Sequence, residues 1–296
     1  MLLLNDGRSK VLRAALSIAG DELGIASDDW FRRAVSTCHL DDWDITETLN
    51  RNWLSCNQTE DDEARMYSSV EYALDICKCY THWTRPSLNA TIRGLLEIRK
   101  YDSTFADGWT FIDYFAGVGL GSIHLAQQLT AAGIDATVVY HNSERNANQV
   151  ALAKRFYAEA GSPSNMRMHL TDDEPRGDVY MFYEVFEHMR EPWAFTESLI
   201  ASHRPKMVIH VSRFNLPNVS GHFSKYTIDG DIYSGKDATR EFERRFKPCG
   251  YVRTVIPSEF NGIPRFQLHE SVVPPTAEVR NQKWDLKEIA RLSRVG

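Results

Sequence analysis

Two glutamates and a histidine follow a run of apolar residues near the middle of the chain. The segment 178–183 is a predicted strand, and Glu184, Glu187 and His188 come directly after it. If these three residues lie on a helical turn, their spacing places them on one face. Two carboxylates and an imidazole can exchange protons, and they also suit a hard divalent ion such as Mg²⁺ or Mn²⁺. The alternative is that Glu184 and His188 fix a loop by hydrogen bonds.

A glycine-rich turn follows another predicted buried strand, over residues 111–121. Gly117 and Gly119 tolerate the positive φ of such a turn and let the backbone approach a ligand closely. The turn lacks the Lys-Ser/Thr pair of a P-loop, so a triphosphate is not expected. Ser122 occupies the place of the third glycine in a nicotinamide fingerprint, which argues against that cofactor.

Both segments resemble motifs of class I S-adenosylmethionine (SAM) methyltransferases. The spacing Asp113-x-Phe115-x-Gly117-x-Gly119 resembles their first motif. Glu184-x-x-Glu187-His188 followed by Pro192 resembles the fourth-motif region of a group that includes ubiquinone-pathway O-methyltransferases and small-RNA 2′-O-methyltransferases. The resemblance spans residues 109–270. It implies a SAM cofactor held by Asp113, Phe115, Gly117 and Gly119.

Two further acids follow the next predicted strands. Glu144 comes after the second strand, and its two carboxylate oxygens could bond the adjacent hydroxyls of a ribose. Capping of the following helix is the alternative role, and the two roles are compatible. For Asp172, after the third strand, the resemblance implies contact with the adenine amino group. A solvated turn is the alternative there.

His222 follows the fifth predicted strand. In metal-dependent members of the resembled group a histidine in this region completes the metal site, which implies Mg or Mn held by Glu184, Glu187, His188 and His222. Without a metal, His188 or His222 could act as general base beside Glu184. Either histidine could equally be a packing residue.

Strands and helices alternate from residue 109 onward, which predicts an α/β fold with a doubly wound sheet. The last two predicted strands are joined by a short loop and should be antiparallel neighbours. This is the seven-stranded order of class I methyltransferases, and a terminal helix is predicted over 278–293. The predicted strands are 109–115, 137–142, 166–170, 178–183, 206–212, 251–257 and 264–270. The predicted helices between them are 121–132, 145–160, 190–203 and 237–247.

The N-terminal third is predicted to be helical over residues 8–100. One helix covers 60–82, Pro86 interrupts it, and Ser87 caps the next helix. We therefore divide the chain into a helical domain, 1–104, and a methyltransferase domain, 105–296. The helical domain is either a substrate-contacting cap or a structural unit.

Composition restricts the partners. A net charge of -6 and a pI of about 5.9 give no global electrostatic case for nucleic acid or an anionic membrane, so a small-molecule acceptor is favoured and a local basic patch stays open. The apolar run at residues 1–4 is too short for a signal peptide, and no stretch is long enough to span a membrane.

The five cysteines predict reduced thiols in a cytoplasmic protein. Cys77 and Cys79 point in different directions on a helix, which argues against a zinc site with Cys38 and His39.

The sequence thus predicts transfer of a methyl group from SAM to an oxygen or nitrogen nucleophile. The alternatives are a nucleic-acid (2′-O) methyltransferase and a non-catalytic SAM-binding scaffold. Cytosine-C5 methylation needs a cysteine nucleophile after the fourth strand, where this chain has Tyr183-Glu184. Amino methylation of DNA needs an Asn/Asp-Pro-Pro-aromatic turn there, which the chain lacks.

Overall fold

The computed structural model of the protein describes residues 6–37, 44–100, 102–216, 219, 221–256 and 263–268. The N-terminal apolar run, Cys38, His39 and the predicted helix 278–293 lie outside these residues. No helix within the described ranges combines the length and the apolar character needed to cross a lipid bilayer.

The N-terminal third folds into helices, as predicted. They are α1 (Arg8–Glu22), α2 (Asp29–Thr37), α3 (Asp44–Ser55), α4 (Glu60–Tyr67), α5 (Val70–Cys79) and α6 (Arg85–Arg99). A π-helical turn, Tyr80–Thr84, joins α5 to α6 without a break.

The predicted single helix over 60–82 is wrong in two respects. The chain breaks between α4 and α5, where Ser69 accepts a hydrogen bond from the Tyr72 amide and starts a new helix. At the other end Pro86 does not interrupt the helix, because it lies in the first turn of α6, directly after the wider π turn. Ser87 therefore sits inside α6, buried, and is not its cap.

The sheet follows the predicted alternation. Its strands are β1 (Thr110–Asp113), β2 (Thr137–His141), β3 (Met166–His169), β4 (Val179–Tyr183), β5 (Met207–Val211), β8 (Tyr251–Ile256) and β9 (Ile263–Leu268). A separate hairpin between them, missed by the sequence prediction, contains β6 (Tyr226–Ile228) and β7 (Asp231–Tyr233). The connecting helices are α7 (Leu120–Ala131), α8 (Ala147–Glu159), α9 (Pro192–His203) and α10 (Gly235–Arg244).

The strand order is β3-β2-β1-β4-β5-β9-β8. The first five strands are parallel, and β9 lies antiparallel between β5 and β8. The fold is therefore α/β with a seven-stranded, doubly wound Rossmann-like sheet, which confirms the predicted fold class. The order reverses between β1 and β4, and this is where open α/β sheets bind ligands at the carboxyl ends of their strands.

Apolar side chains cover both faces of the sheet. On one face, residues of the N-terminal helices such as Leu16, Leu74 and Leu95 share a continuous buried cluster with Leu125 and Phe156. The opposite face carries a phenylalanine-rich cluster that also contains Trp53 of α3. The N-terminal helices are consequently packed against α7, α8 and this face of the sheet. Residues of α3 to α5 also lie at the carboxyl ends of the strands.

Candidate active site

The glycine turn after β1 has the left-handed conformation that its sequence predicts. Phe115, Gly117 and Gly119 have φ values of 50°, 54° and 77°. Gly119 is also the N-cap residue of α7. A Cβ at Gly117 would lie 2.8 Å from Cγ2 of Ile76 in α5, so the turn and the N-terminal helices leave no room for a side chain there.

Asp113 lies behind this turn and does not form part of the cavity wall described below. Its Oδ2 accepts a hydrogen bond of 2.6 Å from Oγ of Ser122, which joins the end of β1 to the first turn of α7. The carboxyl is almost fully buried, and burial raises its pKa to about 6. Asp113 thus holds the turn in place, whereas Phe115, 40% exposed, lies on the cavity wall.

Amide side chains support the turn from the end of β2. Nδ2 of Asn142 donates to the Gly117 carbonyl over 3.0 Å, and the Tyr140 hydroxyl donates to the same oxygen over 2.7 Å. Asn142 also donates to Gln149 of α8. The sequence prediction missed this network, because it looked only for an acid at this position.

The two acids predicted at this edge are exposed and lie outside the cavity wall. Glu144 is exposed in the turn before α8. Asp172 accepts a hydrogen bond from Oγ of Ser143 over 2.7 Å and pairs with Arg145 at 3.2 Å. The structure therefore brings Asp172 close to Ser143, beside Glu144, but places neither acid next to the glycine turn.

A pair of buried carboxyls follows β4. Glu184 has φ 57°, and Nε of Arg213 lies 3.0 Å from its Oε1. Glu187 is fully buried and its Oε1 accepts a hydrogen bond from the Arg213 amide over 3.0 Å. Burial raises the pKa of Glu184 to about 7, against the opposing effect of Arg213. Burial and then the charge of Glu184 raise the pKa of Glu187 well above its usual value, so the Glu187 carboxyl favours its protonated form.

His188 and His222 meet at the same place, with ring centroids 4.7 Å apart and planes at 86°. Nδ1 of His222 donates to the Leu216 carbonyl over 2.9 Å, which leaves the lone pair on Nε2. Burial lowers the pKa of His222 to about 4, and burial and the neighbouring His222 lower the pKa of His188 well below its usual value. Both rings are therefore neutral at neutral pH.

The predicted metal site is not supported by this arrangement. Among the described residues, which include Glu184, Glu187, His188 and His222, no three His, Cys, Asp or Glu side chains are placed to hold a metal ion. The physical reason lies in the backbone. Glu184 has a left-handed conformation outside the short 3₁₀ turn Phe186–His188, so the three residues do not share a helical face.

A cavity of about 1070 Å³ joins these parts, and we call it the main cavity. One wall comes from the strand ends, with Phe115, Asn142, Glu184 and His222. The other comes from the N-terminal helices α3 to α5 and the π turn. Its residues there include Thr46, Glu63, Tyr67, Asp75, Lys78 and Trp83. The guanidinium of Arg213 lies 3.9 Å from the centre of the Trp83 ring, at one end of this cavity.

Sequence comparison finds no matching protein-family model and no matching curated protein. Solved structures do show similar folds. Magnesium protoporphyrin IX methyltransferase from Synechocystis, solved with bound SAH, is 19% identical, with 75% of this chain and 98% of that chain covered and a TM-score of 0.43. An O-methyltransferase family protein from Burkholderia thailandensis is 10% identical, with 85% and 71% covered and a TM-score of 0.45. The methyltransferase domain of bacterial CtHen1-C is 16% identical, with 61% and 98% covered and a TM-score of 0.40. At such low identity, and with TM-scores below 0.5, none of these similarities assigns an activity to this chain.

Proposed function

We propose that this protein binds SAM and transfers its methyl group to an oxygen or nitrogen nucleophile. One observation carries the proposal: a left-handed glycine turn after β1 lies beside a large cavity at the point where the strand order of this sheet reverses. The same cavity is also lined by groups that can accept a proton, Glu184 and His222. Cofactor binding and proton removal are the two tasks that methyl transfer requires of a protein.

The cofactor would lie along the strand ends. Gly117 and Gly119 are buried outside the cavity wall and fix the turn, and the exposed ring of Phe115 offers the cofactor an apolar surface. Asn142 and Asn146 line the cavity beside the turn. The Asn142 amide is held by partners within the protein, and the Asn146 amide is suited to ribose hydroxyls. The ribose contact of Glu144 and the adenine contact of Asp172 stay predictions, since both side chains are exposed outside the cavity wall.

The methyl transfer itself is a displacement at the sulfonium. The acceptor oxygen or nitrogen forms a bond to the methyl carbon, the carbon–sulfur bond breaks with its electrons going to sulfur, and the acceptor loses a proton. We assign that proton to Glu184, because its pKa near 7 lets it be ionised at neutral pH and still bind a proton effectively. The neutral His222, with its lone pair on Nε2, lines the same end of the cavity.

The N-terminal helices would select the acceptor. They provide one wall of the main cavity, and α3 contacts the His222 loop directly, since Nε1 of Trp53 donates to the His222 carbonyl over 3.0 Å. This supports the predicted role of residues 1–104 as a substrate-contacting cap.

Calorimetric titration with S-adenosylhomocysteine, the product of the reaction, tests the cofactor. We expect binding in roughly the micromolar range. Gly119→Ala should weaken it about tenfold or more, because a Cβ there would lie 3.1 Å from Ala153 and 3.3 Å from Tyr140 in a left-handed turn. An acceptor screen with and without MgCl₂ tests the metal-assisted form, because the metal would hold the acceptor hydroxyl and lower its pKa.

Gly133→Ala is the matched control. Gly133 also has a positive φ, 67°, but no atom lies within 4 Å of a Cβ built there, so the substitution introduces the same backbone strain away from the site. Equal losses in both variants would show a general effect of strain. No heat in the unmodified protein would contradict the enzyme proposal and leave a scaffold without turnover as the better description.

A further inference from the structure

A second large cleft lies next to the main cavity. Its volume is about 1070 Å³, and it is lined by α10 and the turn after it, by β8 and by the loop after β5. We call it the basic cleft, because its wall contains six cationic residues and one acid. They are Arg213, Lys236, Arg240, Arg244, Lys247 and Arg253, with Glu243 as the acid.

The positive charge of this cleft contrasts with the chain as a whole, whose net charge is -6. Part of it is neutralised: Arg253 pairs with Glu243 at 2.6 Å and Arg213 with Glu184 at 3.0 Å. Arg240 and Arg244 pair with acids of α10 that lie outside the cleft wall. Within the described part of the chain, Lys236 and Lys247 form no ion pair. These two lysines lie near opposite ends of α10 and its following turn, so the free charge extends along the cleft.

The basic cleft and the main cavity meet. Trp83, Arg213 and Leu216 line both of them. Trp83 and Leu216 are each 38% exposed, and the Arg213 guanidinium lies against the Trp83 ring. A long anionic molecule lying in the cleft would therefore pass an aromatic ring and an arginine before it reached Glu184.

We infer that the basic cleft binds the phosphodiester backbone of a single-stranded nucleic acid, and that one nucleotide of the strand enters the main cavity as the methyl acceptor. Lysines and arginines along a groove, followed by an exposed aromatic ring, are the combination that holds single strands by phosphate contact and base stacking. The last step, delivery of the acceptor, rests on the proposed function. The binding step does not.

Other polyanionic partners fit less well. The side chains that α10 presents to the cleft, Lys236, Thr239 and Arg240 among them, are polar, so this helix lacks the apolar face that anchors a helix in a membrane. A duplex is disfavoured because the reaction centre lies inside a cavity, and a base-paired nucleotide would first have to leave the stack.

Fluorescence anisotropy with a labelled 20-nucleotide single strand, as DNA and as RNA, tests the inference on the full chain. We expect the logarithm of the binding constant to fall linearly with the logarithm of the salt concentration. The double variant K236A/K247A should weaken binding about tenfold at low salt and lower the salt slope by about 1.4 for two lost phosphate contacts. Trp83→Ala should weaken binding about tenfold through lost stacking.

The control variant is K154A/R155A, which removes two exposed cations of α8 and should change the affinity less than about twofold. Equal loss in both double variants, salt-independent binding, or binding to a duplex as tight as to the single strand would overturn the inference. So would displacement by tripolyphosphate at an equal phosphate concentration, because it would indicate a small phosphorylated ligand.

Titration of K236A/K247A with S-adenosylhomocysteine separates the two proposals. Retained heat with lost strand binding shows that the variant is folded and supports the basic cleft. If the unmodified protein binds the strand but not S-adenosylhomocysteine, the proposed function fails and the cleft stands. If it binds S-adenosylhomocysteine but not the strand, the inference that the basic cleft binds a single strand is wrong and the proposed function is supported.

Discussion

At the scale of single residues, the site depends on carboxyls kept away from water. Asp113, Glu184 and Glu187 are all buried or nearly so, and burial raises the pKa of each. Burial disfavours the ionised form of a carboxyl. At neutral pH, where a carboxyl in the unfolded chain is ionised, such a group therefore lowers the free energy of unfolding. Arg213 offsets part of this cost at Glu184, but no described cation pairs with Asp113, which depends on the Ser122 hydroxyl.

Asp113→Asn gives a direct test of this cost. The pKa of Asp113 is about 6 in the folded protein and about 4 in an unfolded chain, so the folded state binds the extra proton between these values. Stability from this group is therefore fully present below about pH 4 and is lost as the pH rises through 6. Asparagine keeps the acceptor for Ser122 and does not titrate. We expect the variant to gain unfolding free energy relative to the unmodified protein between pH 4 and 6, by on the order of 3 kcal/mol.

Urea unfolding at a series of pH values measures that difference. Asp172→Asn, at an exposed aspartate of the same sheet edge, serves as the control for the loss of one carboxylate. A flat difference for Asp113→Asn would mean that its carboxyl titrates normally in the folded protein.

Prediction from sequence worked best for residues whose roles are set by the backbone. Gly117 and Gly119 have the left-handed conformation expected of a glycine turn, because a local sequence pattern determines a local conformation. Asn142 and Arg213 were not identified. Their roles depend on tertiary distances to Gly117 and Glu184, and no spacing along the chain encodes these.

At the scale of elements, α3 and the loop before β6 depend on each other. Trp53 is 2% exposed, its indole donates to the His222 carbonyl, and its ring contacts Phe223 at 5.7 Å. A single residue of the N-terminal third thus helps to fix the histidine that faces the main cavity.

Trp53→Phe should therefore lower the unfolding free energy by about 2 kcal/mol, since the buried His222 carbonyl loses its donor and the smaller ring leaves a gap. Urea denaturation followed by circular dichroism measures this. Trp30→Phe is the control, because the Trp30 indole donates only to Asp28, two residues away and partly exposed. A loss of similar size in both variants would contradict a special role for the Trp53 contact.

The strands and helices between residues 109 and 268 were predicted to within a few residues, apart from the hairpin discussed next, since apolar runs of strand length alternate with amphipathic segments. The β6–β7 hairpin was missed although Asp229-Gly230 forms its turn with positive φ at both residues, a recognised hairpin signal. Its strands are only three residues long, too short for a visible alternation. The helix over 60–82 was misjudged because Pro86 was taken as a break, whereas a proline in the first turn of a helix costs no hydrogen bond.

At the scale of the whole molecule, the apolar cluster on one face of the sheet is continuous from α1 to β5. Neither the N-terminal helices nor the sheet buries its apolar surface without the other. We therefore expect the chain to unfold in one transition, with urea midpoints that coincide between circular dichroism and tryptophan fluorescence. Tryptophans lie in both parts, for example Trp53 and Trp193, so fluorescence reports on both. Two separated transitions would show that residues 1–104 form an independent unit.

The distribution of charge is also a property of the whole molecule. The sequence contains no basic run, and its net charge argues for a small-molecule acceptor. Folding nonetheless gathers cations from α10, β8 and the loop after β5 around one cleft. An overall charge cannot reveal such a patch, because it does not record where on the surface each charged residue lies.

The π-helical turn between α5 and α6 has a consequence for how this chain tolerates insertions and deletions. A π turn contains one residue more than an α-helical turn, and one residue corresponds to a rotation of about 100° and a rise of about 1.5 Å. Tyr80–Thr84 therefore sets the phase of α6 relative to α5. With the extra residue, Trp83 and Thr84 line the main cavity while Leu88, Ile92 and Leu95 stay buried against the sheet. Removing one residue here would leave a regular helix and turn the apolar stripe of α6 a quarter of the way round, so relatives of this protein should keep the length of this segment even where its residues differ.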